Sequence, residues 1–216
     1  MGDMEKTDQE KFWAGEFGTE YSDRNVGVNI LASNIALFAD IFKRTPKLNS
    51  VIEFGPNIGL NLRALDLLYP GQEQVAVEIN QVAANKINDA LPNTRVLNLA
   101  ISDFEPGMLS SGPCDLALIK GVLIHINPDQ LKMVYKKLYE STQKFILICE
   151  YYNPKPDTVN YRGHADRLFR RDFAGEMLDI YTDLRLVNYG FAYHRDPSFP
   201  QDDTTWFLVE KKMNQK

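Results

Sequence analysis

One stretch of the sequence decides the fold: VIEFGPNIGLN, which runs from Val51 to Asn61. In it, an apolar run leads into a glycine turn and then into a helical pattern. Gly55 lets the backbone turn sharply and lets a ligand approach the main chain, while Gly59 allows the following helix to pass closely. A strand, a glycine loop and a helix start in this order predict a ligand site at the end of the first strand of an α/β sheet.

Short apolar runs alternate with helical patterns through the rest of the chain. Strands are predicted at residues 50–54, 74–78, 95–99, 115–120, 144–150, 185–191 and 204–210, and helices at 26–42, 59–69, 81–90, 129–140 and 165–181. The first five strands are nearly continuous apolar runs, as expected when helices cover both faces of a parallel sheet. Residues 192–203 contain two prolines and no helical period, which favours an antiparallel hairpin of the last two strands. The pattern predicts an α/β, Rossmann-like fold: a seven-stranded, mostly parallel sheet with a C-terminal antiparallel hairpin and helices on both faces.

Composition narrows the classes of function. The 216 residues suit a single domain, and the net charge of −5 argues against a broad nucleic-acid surface. No apolar run approaches the ~20 residues of a membrane helix, and the charged N-terminus lacks an apolar signal core, so we expect a cytoplasmic protein that binds no membrane. Cys114 and Cys149 lie among apolar neighbours, which predicts buried free thiols. The Cys and His spacing matches no metal site, and we expect no metal.

The second predicted strand ends in an acidic residue, Glu78, twenty-three positions after Gly55. A carboxylate at this place can accept both hydroxyls of a ribose. Glu53, just before the first glycine, can meet a cationic amino group through water, and Asn57 stands where the usual pattern has another glycine. Further ligand contacts are expected where the following strands end, at Ile79, Ala100, Ile101, Ser102, Lys120 and Gly121. Two alternatives remain open: a strand–turn–helix with no ligand, and the glycine loop of a nicotinamide-dependent reductase.

The three histidines of the chain are candidate general bases. His125 precedes a proline-initiated helix after the fourth predicted strand, where it can face the ligand cleft. His164 opens an arginine-bearing segment, and His194 lies between the last two strands. Glu150 and Tyr151 are further candidates. A lone histidine is more often a structural group with its hydrogen bonds satisfied, and this is the alternative interpretation.

Two sets of motifs resemble known families. The glycine loop, Glu78 and the loop LIHINP at residues 123–128 resemble class I S-adenosylmethionine-dependent methyltransferases. A narrower likeness covers nearly the whole chain: FWAGEFGTEYSDRN at residues 12–25, the glycine loop, EYYNP at 150–154 and RDFAGE at 171–176 look like the methylases associated with pseudaminic acid biosynthesis.

This resemblance implies S-adenosyl-L-methionine as the cofactor and a methyltransferase domain at residues 46–216. It also implies that residues 1–45 form an N-terminal lid and a helix that pack on this domain, within one domain overall. Trp13, Tyr21, Arg24 and Asn25 are the implied lid residues, with Tyr21 and Arg24 suited to the cofactor carboxylate because a guanidinium binds a carboxylate in a two-pronged fork. A structured helix-capping segment is the alternative interpretation of these residues.

The methyl acceptor is expected near two polar and aromatic segments after the fifth predicted strand. Tyr151 and Asn153 lie in the first segment, and Arg162 and Arg167 in the second. A local basic cluster in an acidic protein predicts a small anionic acceptor, and the resemblance suggests one related to nonulosonic sugars or sugar nucleotides. A predicted helix from about His164 would place Arg167 and Arg171 on one face, and a merely solvated helix face is the other interpretation. The predicted activity is methyl transfer to an oxygen or nitrogen atom; the alternatives are the reductase and a non-catalytic protein that binds the same cofactor.

Overall fold

The computed structural model describes residues 6–24, 27–161 and 164–212, apart from the side chains of residues 28 and 160–167. Its nine strands are β1 Ser50–Phe54, β2 Glu73–Val77, β3 Thr94–Leu97, β4 Cys114–Lys120, β5 Thr142–Glu150, β6 Asp157–Tyr161, β7 His164–Arg170, β8 Leu184–Ala192 and β9 Thr204–Lys211. Seven of them form one sheet in the order β3-β2-β1-β4-β5-β9-β8. β1 to β5 are parallel, and β9 runs antiparallel to β5 and β8. The predicted sheet and its antiparallel hairpin are confirmed.

Seven α-helices surround the sheet: α1 Asp8–Ala14, α2 Glu16–Arg24, α3 Val28–Phe42, α4 Leu60–Leu68, α5 Gln81–Ala90, α6 Leu131–Glu140 and α7 Phe173–Ile180. Phe38 of α3, Leu62 of α4 and Ile87 of α5 belong to the core on one face of the sheet. Leu138 of α6 and Phe173 of α7 belong to the core on the other face. Helices therefore cover both faces, and the central strands are buried on both sides, as their apolar runs predicted.

The helix predicted at residues 165–181 is wrong in its first part. Residues 165–170 belong to β7, which pairs with β6 as a separate antiparallel hairpin, and the helix begins only at Phe173. Leu168 packs into the sheet core, and Asp172 starts the helix because its carboxylate accepts the Gly175 N–H at 2.8 Å. The helical face expected for Arg167 and Arg171 does not exist: Arg171 instead donates to Glu176 at 2.5 Å.

Asn80 connects the N-terminal helices to the sheet. Its Oδ1 atom accepts the N–H groups of Val82 and Ala83 and so caps α5. Its Nδ2 atom lies 3.2–3.3 Å from the Trp13 carbonyl, the Gly15 carbonyl and the Thr19 hydroxyl. One side chain thus positions both a helix of the domain and the segment that covers the sheet edge.

Both cysteines are buried free thiols, as predicted. In the described part of the chain, no single helix is long and apolar enough to cross a membrane. One pair, Glu16–Arg24 with Asn29–Phe42, meets the length and composition criterion only when its two helices are joined across an 85° bend.

The two roles of Asn80 can be separated by substitution. Asn80→Ala removes the cap and the tethers, and we expect the free energy of unfolding to fall by roughly 1–2 kcal/mol. Asn80→Asp retains the acceptor that caps α5 but lacks the amide donors, so we expect a smaller loss of stability with faster hydrogen exchange in residues 8–24. Urea unfolding and exchange mass spectrometry measure the two effects. Unchanged exchange in α1 and α2 of Asn80→Asp would contradict the tethering role.

Candidate functional site

A cavity of about 570 Å³ lies at the carboxyl ends of β1, β2 and β4, beneath α1 and α2. Ligands of open α/β sheets bind at this edge. Most residues predicted to bind a cofactor line it: Trp13, Tyr21, Arg24, Gly55, Asn57, Glu78, Ile79, Ile101, Ser102, Lys120 and Gly121. Glu53, Gly59 and Ala100 do not line the cavity, because Glu53 and Ala100 are buried below it and Gly59 faces α5.

The glycine loop takes its shape from three residues with left-handed backbone: Gly55 at φ 71°, Asn57 at φ 52° and Gly59 at φ 79°. A Cβ atom on Gly55 would lie 2.6 Å from a methyl group of Val122, so the loop accepts no side chain there. Asparagine is among the few other residues that tolerate this backbone region, which explains how Asn57 replaces a glycine. On Gly59, a Cβ atom would lie 3.2 Å from Ile87, so this glycine serves the packing of α5 against the loop.

Glu78 holds the loops that follow β1 and β2. One carboxylate oxygen accepts the Asn57 N–H and the other accepts the Asn80 N–H, each at 2.8 Å. The side chain lies at the cavity wall although it is only 6% exposed. The Ile79 N–H makes a third backbone hydrogen bond to this carboxylate. A carboxylate has about four acceptor positions, so a position remains for a ligand donor. Burial raises the pKa of Glu78 to about 7, against the lowering effect of the backbone hydrogen bonds.

Glu53 lies beneath the glycine loop at the end of β1. Asn61 donates to one of its oxygens at 2.6 Å, and among the described residues the other oxygen, Oε2, has no hydrogen-bond partner. Burial raises the pKa of Glu53 to about 7, although Asn61 and the positive charge of Lys120 both lower it. A buried carboxylate oxygen without a partner is costly, so this atom is suited to a donor supplied by a ligand or a water molecule.

Glu150, considered above as a base, has a structural role at the end of β5. One of its oxygens accepts the N–H groups of Val122 and Leu123, each at 2.9 Å, and so fixes the 3-10 turn Leu123–His125 that forms a cavity wall. Its other oxygen has no partner among the described residues. Burial raises the pKa of Glu150 to about 7.

The histidines have very different positions. His125 is 8% exposed and lines the cavity, with its ring centroid 4.6 Å from that of Trp13. His194 is exposed outside the cavity, where its Nδ1 atom lies 2.8 Å from an Asp203 oxygen. The His164 side chain lies outside the description. Of the two histidines whose side chains are described, His125 is the one that lies at the cavity.

The predicted acceptor residues are only partly described. Tyr151 lines the cavity, whereas Asn153 does not. Arg162 lies outside the described residues, and so does the side chain of Arg167, although the backbone places Arg167 in β7.

Helices α1 and α2 close the cavity through two short polar contacts. Glu10 accepts the Ser102 hydroxyl at 2.5 Å, and the Ser22 hydroxyl lies 2.5 Å from Asn57 Oδ1. Arg24 lies 3.5 Å from Glu20 and 5.9 Å from the centre of the Phe17 ring. The implied lid residue Asn25 lies outside the described residues. The described part of this segment forms a roof over the cavity.

Sequence reasoning missed several polar residues of the wall: Glu10, Asn34, Asn61, Asn80, Gln130, Asp202 and Thr204. Asn80 had a usable signal, since a polar residue directly after a strand and before a helix is typical of a helix cap. Asp202 and Thr204 come to the cavity because β9 runs antiparallel and begins at the edge where β5 ends. In the described part of the chain, no group of three His, Cys, Asp or Glu residues is arranged to hold a metal ion.

No protein-family model matches the sequence, and no curated protein matches it significantly. Solved structures match its fold. Magnesium protoporphyrin IX methyltransferase from Synechocystis PCC 6803, with bound SAH (S-adenosylhomocysteine), has a TM-score of 0.67 at 12% identity over 94% of this chain and 97% of that chain. The methyltransferase domain of bacterial CtHen1-C has a TM-score of 0.62 at 15% identity, over 84% and 98%. For the mitomycin 7-O-methyltransferase MmcR the TM-score is 0.66 at 13% identity, over 95% of this chain but 61% of that chain. At these identities the likeness shows the fold.

We expect the ligand-free protein to become less stable as the pH rises from about 5 to about 8. Glu53, Glu78 and Glu150 each have a folded-state pKa of about 7, above the ordinary value of 4.5. Because the unfolded carboxyls ionise first, the stabilisation is full below the ordinary pKa and is lost as the pH rises through the folded pKa. The loss is on the order of 1–3 kcal/mol for each group.

Urea unfolding across this pH range measures the effect. Glu150→Gln cannot ionise, so its stability should depend less on pH, whereas the exposed Glu16→Gln should behave like the wild type. Equal slopes in all three proteins would contradict the assignment.

Proposed function

We propose that this protein is an S-adenosyl-L-methionine-dependent methyltransferase. The observation that carries the proposal is Glu78: a nearly buried carboxylate at the end of β2, at the cavity wall and bonded to the backbone of the glycine loop. A carboxylate in this position is suited to the two ribose hydroxyls of a nucleoside cofactor. Three solved methyltransferases have the same fold, and one of them holds the demethylated cofactor.

The residues present fit this cofactor. The oxygen of Glu53 that has no partner among the described residues suits the cationic amino group of the methionine portion through a water molecule. The left-handed Gly121, where a Cβ atom would meet nothing within 4 Å, leaves the backbone open, and Lys120, Tyr21 and Arg24 on the cavity wall suit the cofactor carboxylate. For the adenine, the proposed neighbours are Ile79, Ala100, Ile101 and Ser102.

The sheet order argues against the nicotinamide-dependent reductase. A dinucleotide-binding sheet of the usual kind has the order 3-2-1-4-5-6. Here the last strand, β9, lies beside β5 and runs antiparallel to it. This places Asp202 and Thr204 at the cavity, where the dinucleotide fold has a parallel strand. The layout is the one expected for a class I methyltransferase.

Bound cofactor would supply the methyl group and the leaving group, so the chain's own residues have to hold the acceptor and take its proton. We place the acceptor beside Tyr151, His125 and the turn that Glu150 fixes. His125 is the proposed base for an oxygen or nitrogen acceptor. A small anionic acceptor, related to nonulosonic sugars or sugar nucleotides, is proposed from the sequence resemblance and from the basic segment that contains Arg162 and Arg167. Asn153, Arg162 and Arg167 are its further proposed contacts.

Calorimetry tests the cofactor assignment. The wild type should bind S-adenosylhomocysteine with micromolar affinity and show no comparable binding of NAD. Glu78→Ala loses charge-assisted hydrogen bonds of roughly 1.5–3 kcal/mol each, so its affinity should fall about ten- to a hundredfold. Glu73→Ala, at the exposed opposite end of β2, is the control and should bind normally. A change below about twofold in a folded Glu78→Ala protein would refute the ribose assignment.

Steady-state kinetics test the base once an acceptor is found. If His125 removes the acceptor proton, His125→Gln should lower kcat by about a hundredfold or more and abolish the acidic limb of the pH profile. Cofactor affinity should stay within about threefold of the wild type. His194→Gln is the matched control, because this exposed histidine lies outside the cavity. Equal kcat values in the two variants would show that His125 is not the base and has a structural role.

A further inference from the structure

Strand β8 forms one edge of the seven-stranded sheet. It pairs with β9 along one side, and no other strand of the described chain pairs with its outer side. An open edge exposes backbone donors and acceptors to any strand that can align with them. The inference drawn from this edge does not depend on the function proposed for the cavity.

The edge lacks most features that prevent strand addition. Residues 186–192 read LVNYGFA and contain no charge and no proline. Their large side chains are exposed: Tyr189 by 65%, Phe191 by 60%, and Leu186 and Val187 by 44% each. One irregularity interrupts the pairing with β9, between Leu186 and Asn188. From Asn188 onward the pairing with β9 is regular. The Asn188 side chain accepts the Tyr189 N–H at 3.0 Å, a local bond that an added strand would replace, and the residues after it are apolar, which marks the edge as an association surface.

The exposed aromatic rings of β8 lie on one face of the sheet. Tyr189 pairs with Phe207 of β9 and stacks on its ring at 6.4 Å between centroids. Phe191, two residues farther along the strand, points to the same face and lies 6.1 Å from the Tyr193 ring. On the opposite face, Gly190 lies against Trp206, whose ring a Cβ atom would approach within 2.5 Å. The edge thus presents aromatic rings on one face of the sheet, and Gly190 between them has no side chain on the other face.

We propose that β8 pairs antiparallel with β8 of a second copy of this chain, about a two-fold axis at Gly190. Residues at equal distances from the axis then lie opposite each other, so each Tyr189 meets the partner's Phe191. Cross-strand aromatic pairs of this kind stabilise sheets. Pairing ends where the irregularity at Val187 begins, and the two seven-stranded sheets become one continuous sheet.

The lack of charge favours a second copy over a different partner, and the exposed rings supply part of the interface. A buried aromatic side chain removes roughly 150–250 Å² from water, so the exposed parts of Tyr189, Phe191 and Tyr193 amount to at most a few hundred Å² when a second copy covers them. This is less than the ~800 Å² that each partner contributes to a standard interface, so backbone pairing along β8 has to supply the rest. The segment carries no charge, so it cannot attract a partner of opposite charge. Two copies of it can align with each other about a two-fold axis.

Light scattering after gel filtration tests the dimer between about 1 and 100 μM protein. The wild type should have twice the mass of the chain, and Phe191→Glu should have the mass of one chain, because the new carboxylates would be buried against the partner's Tyr189. Leu67→Glu is the matched control: it adds the same charge to an exposed leucine on α4 and should leave the dimer intact. Circular dichroism and urea unfolding confirm that each variant is folded. A monomeric wild type, or a dimer that persists in Phe191→Glu, overturns the proposal.

Mixing two variants tests the register. In a dimer of Tyr189→Lys with Phe191→Glu, the new lysine and glutamate lie opposite each other on one side of the axis, and Tyr189 meets Phe191 on the other. We expect the mixture to associate at least tenfold more tightly than either variant alone. A mixture no tighter than its components shows that β8 does not pair in this register and overturns the assignment.

Discussion

The Glu78 carboxylate accepts one backbone N–H from the loop after β1 and one from the loop after β2, and the cavity depends on this pair of bonds. The first bond holds Asn57 in its left-handed conformation. The second positions Asn80, which caps α5 and tethers the N-terminal helices. The glycine loop, the start of α5 and the roof formed by α1 and α2 thus all depend on the Glu78 side chain. The carboxylate that we propose binds a ribose also holds the cavity walls in place.

Three carboxyl groups are buried at the ends of β1, β2 and β5, and their burial costs free energy when no ligand is bound. Burial raises the pKa of each to about 7, and two of them have an oxygen without a partner among the described residues. Lys120, on the strand between Glu53 and Glu150, lowers the pKa of both. Such an arrangement favours a ligand that brings hydrogen-bond donors and positive charge, as the proposed cofactor does.

The sequence predicted those parts of the fold that follow from local periodicity. Continuous apolar runs gave the strands of the sheet, and the glycine loop and Glu78 gave the cavity. The hairpin of β6 and β7 was missed because the arginines and the histidine in the sequence at residues 162–171 fit a polar helix as well as a strand. Long-range partners were also beyond reach: Glu10 and Ser102 are 92 residues apart, and no local pattern links them.

Ligand entry depends on how firmly α1 and α2 are held over the cavity, and less on the stability of the whole domain. Helices α1 and α2 are held over the cavity by side chains that also line it, since Ser102 bonds to Glu10 and Asn57 contacts Ser22. Each of these two polar contacts contributes roughly 1 kcal/mol net to stability, well below the 5–15 kcal/mol free energy of unfolding of a whole domain. Displacing the roof would break these contacts and the Asn80 tethers but not the core of the sheet. Trp13, which packs against His125, belongs to both the roof and the proposed acceptor site, and so connects the roof to the place where we propose that the methyl group is transferred.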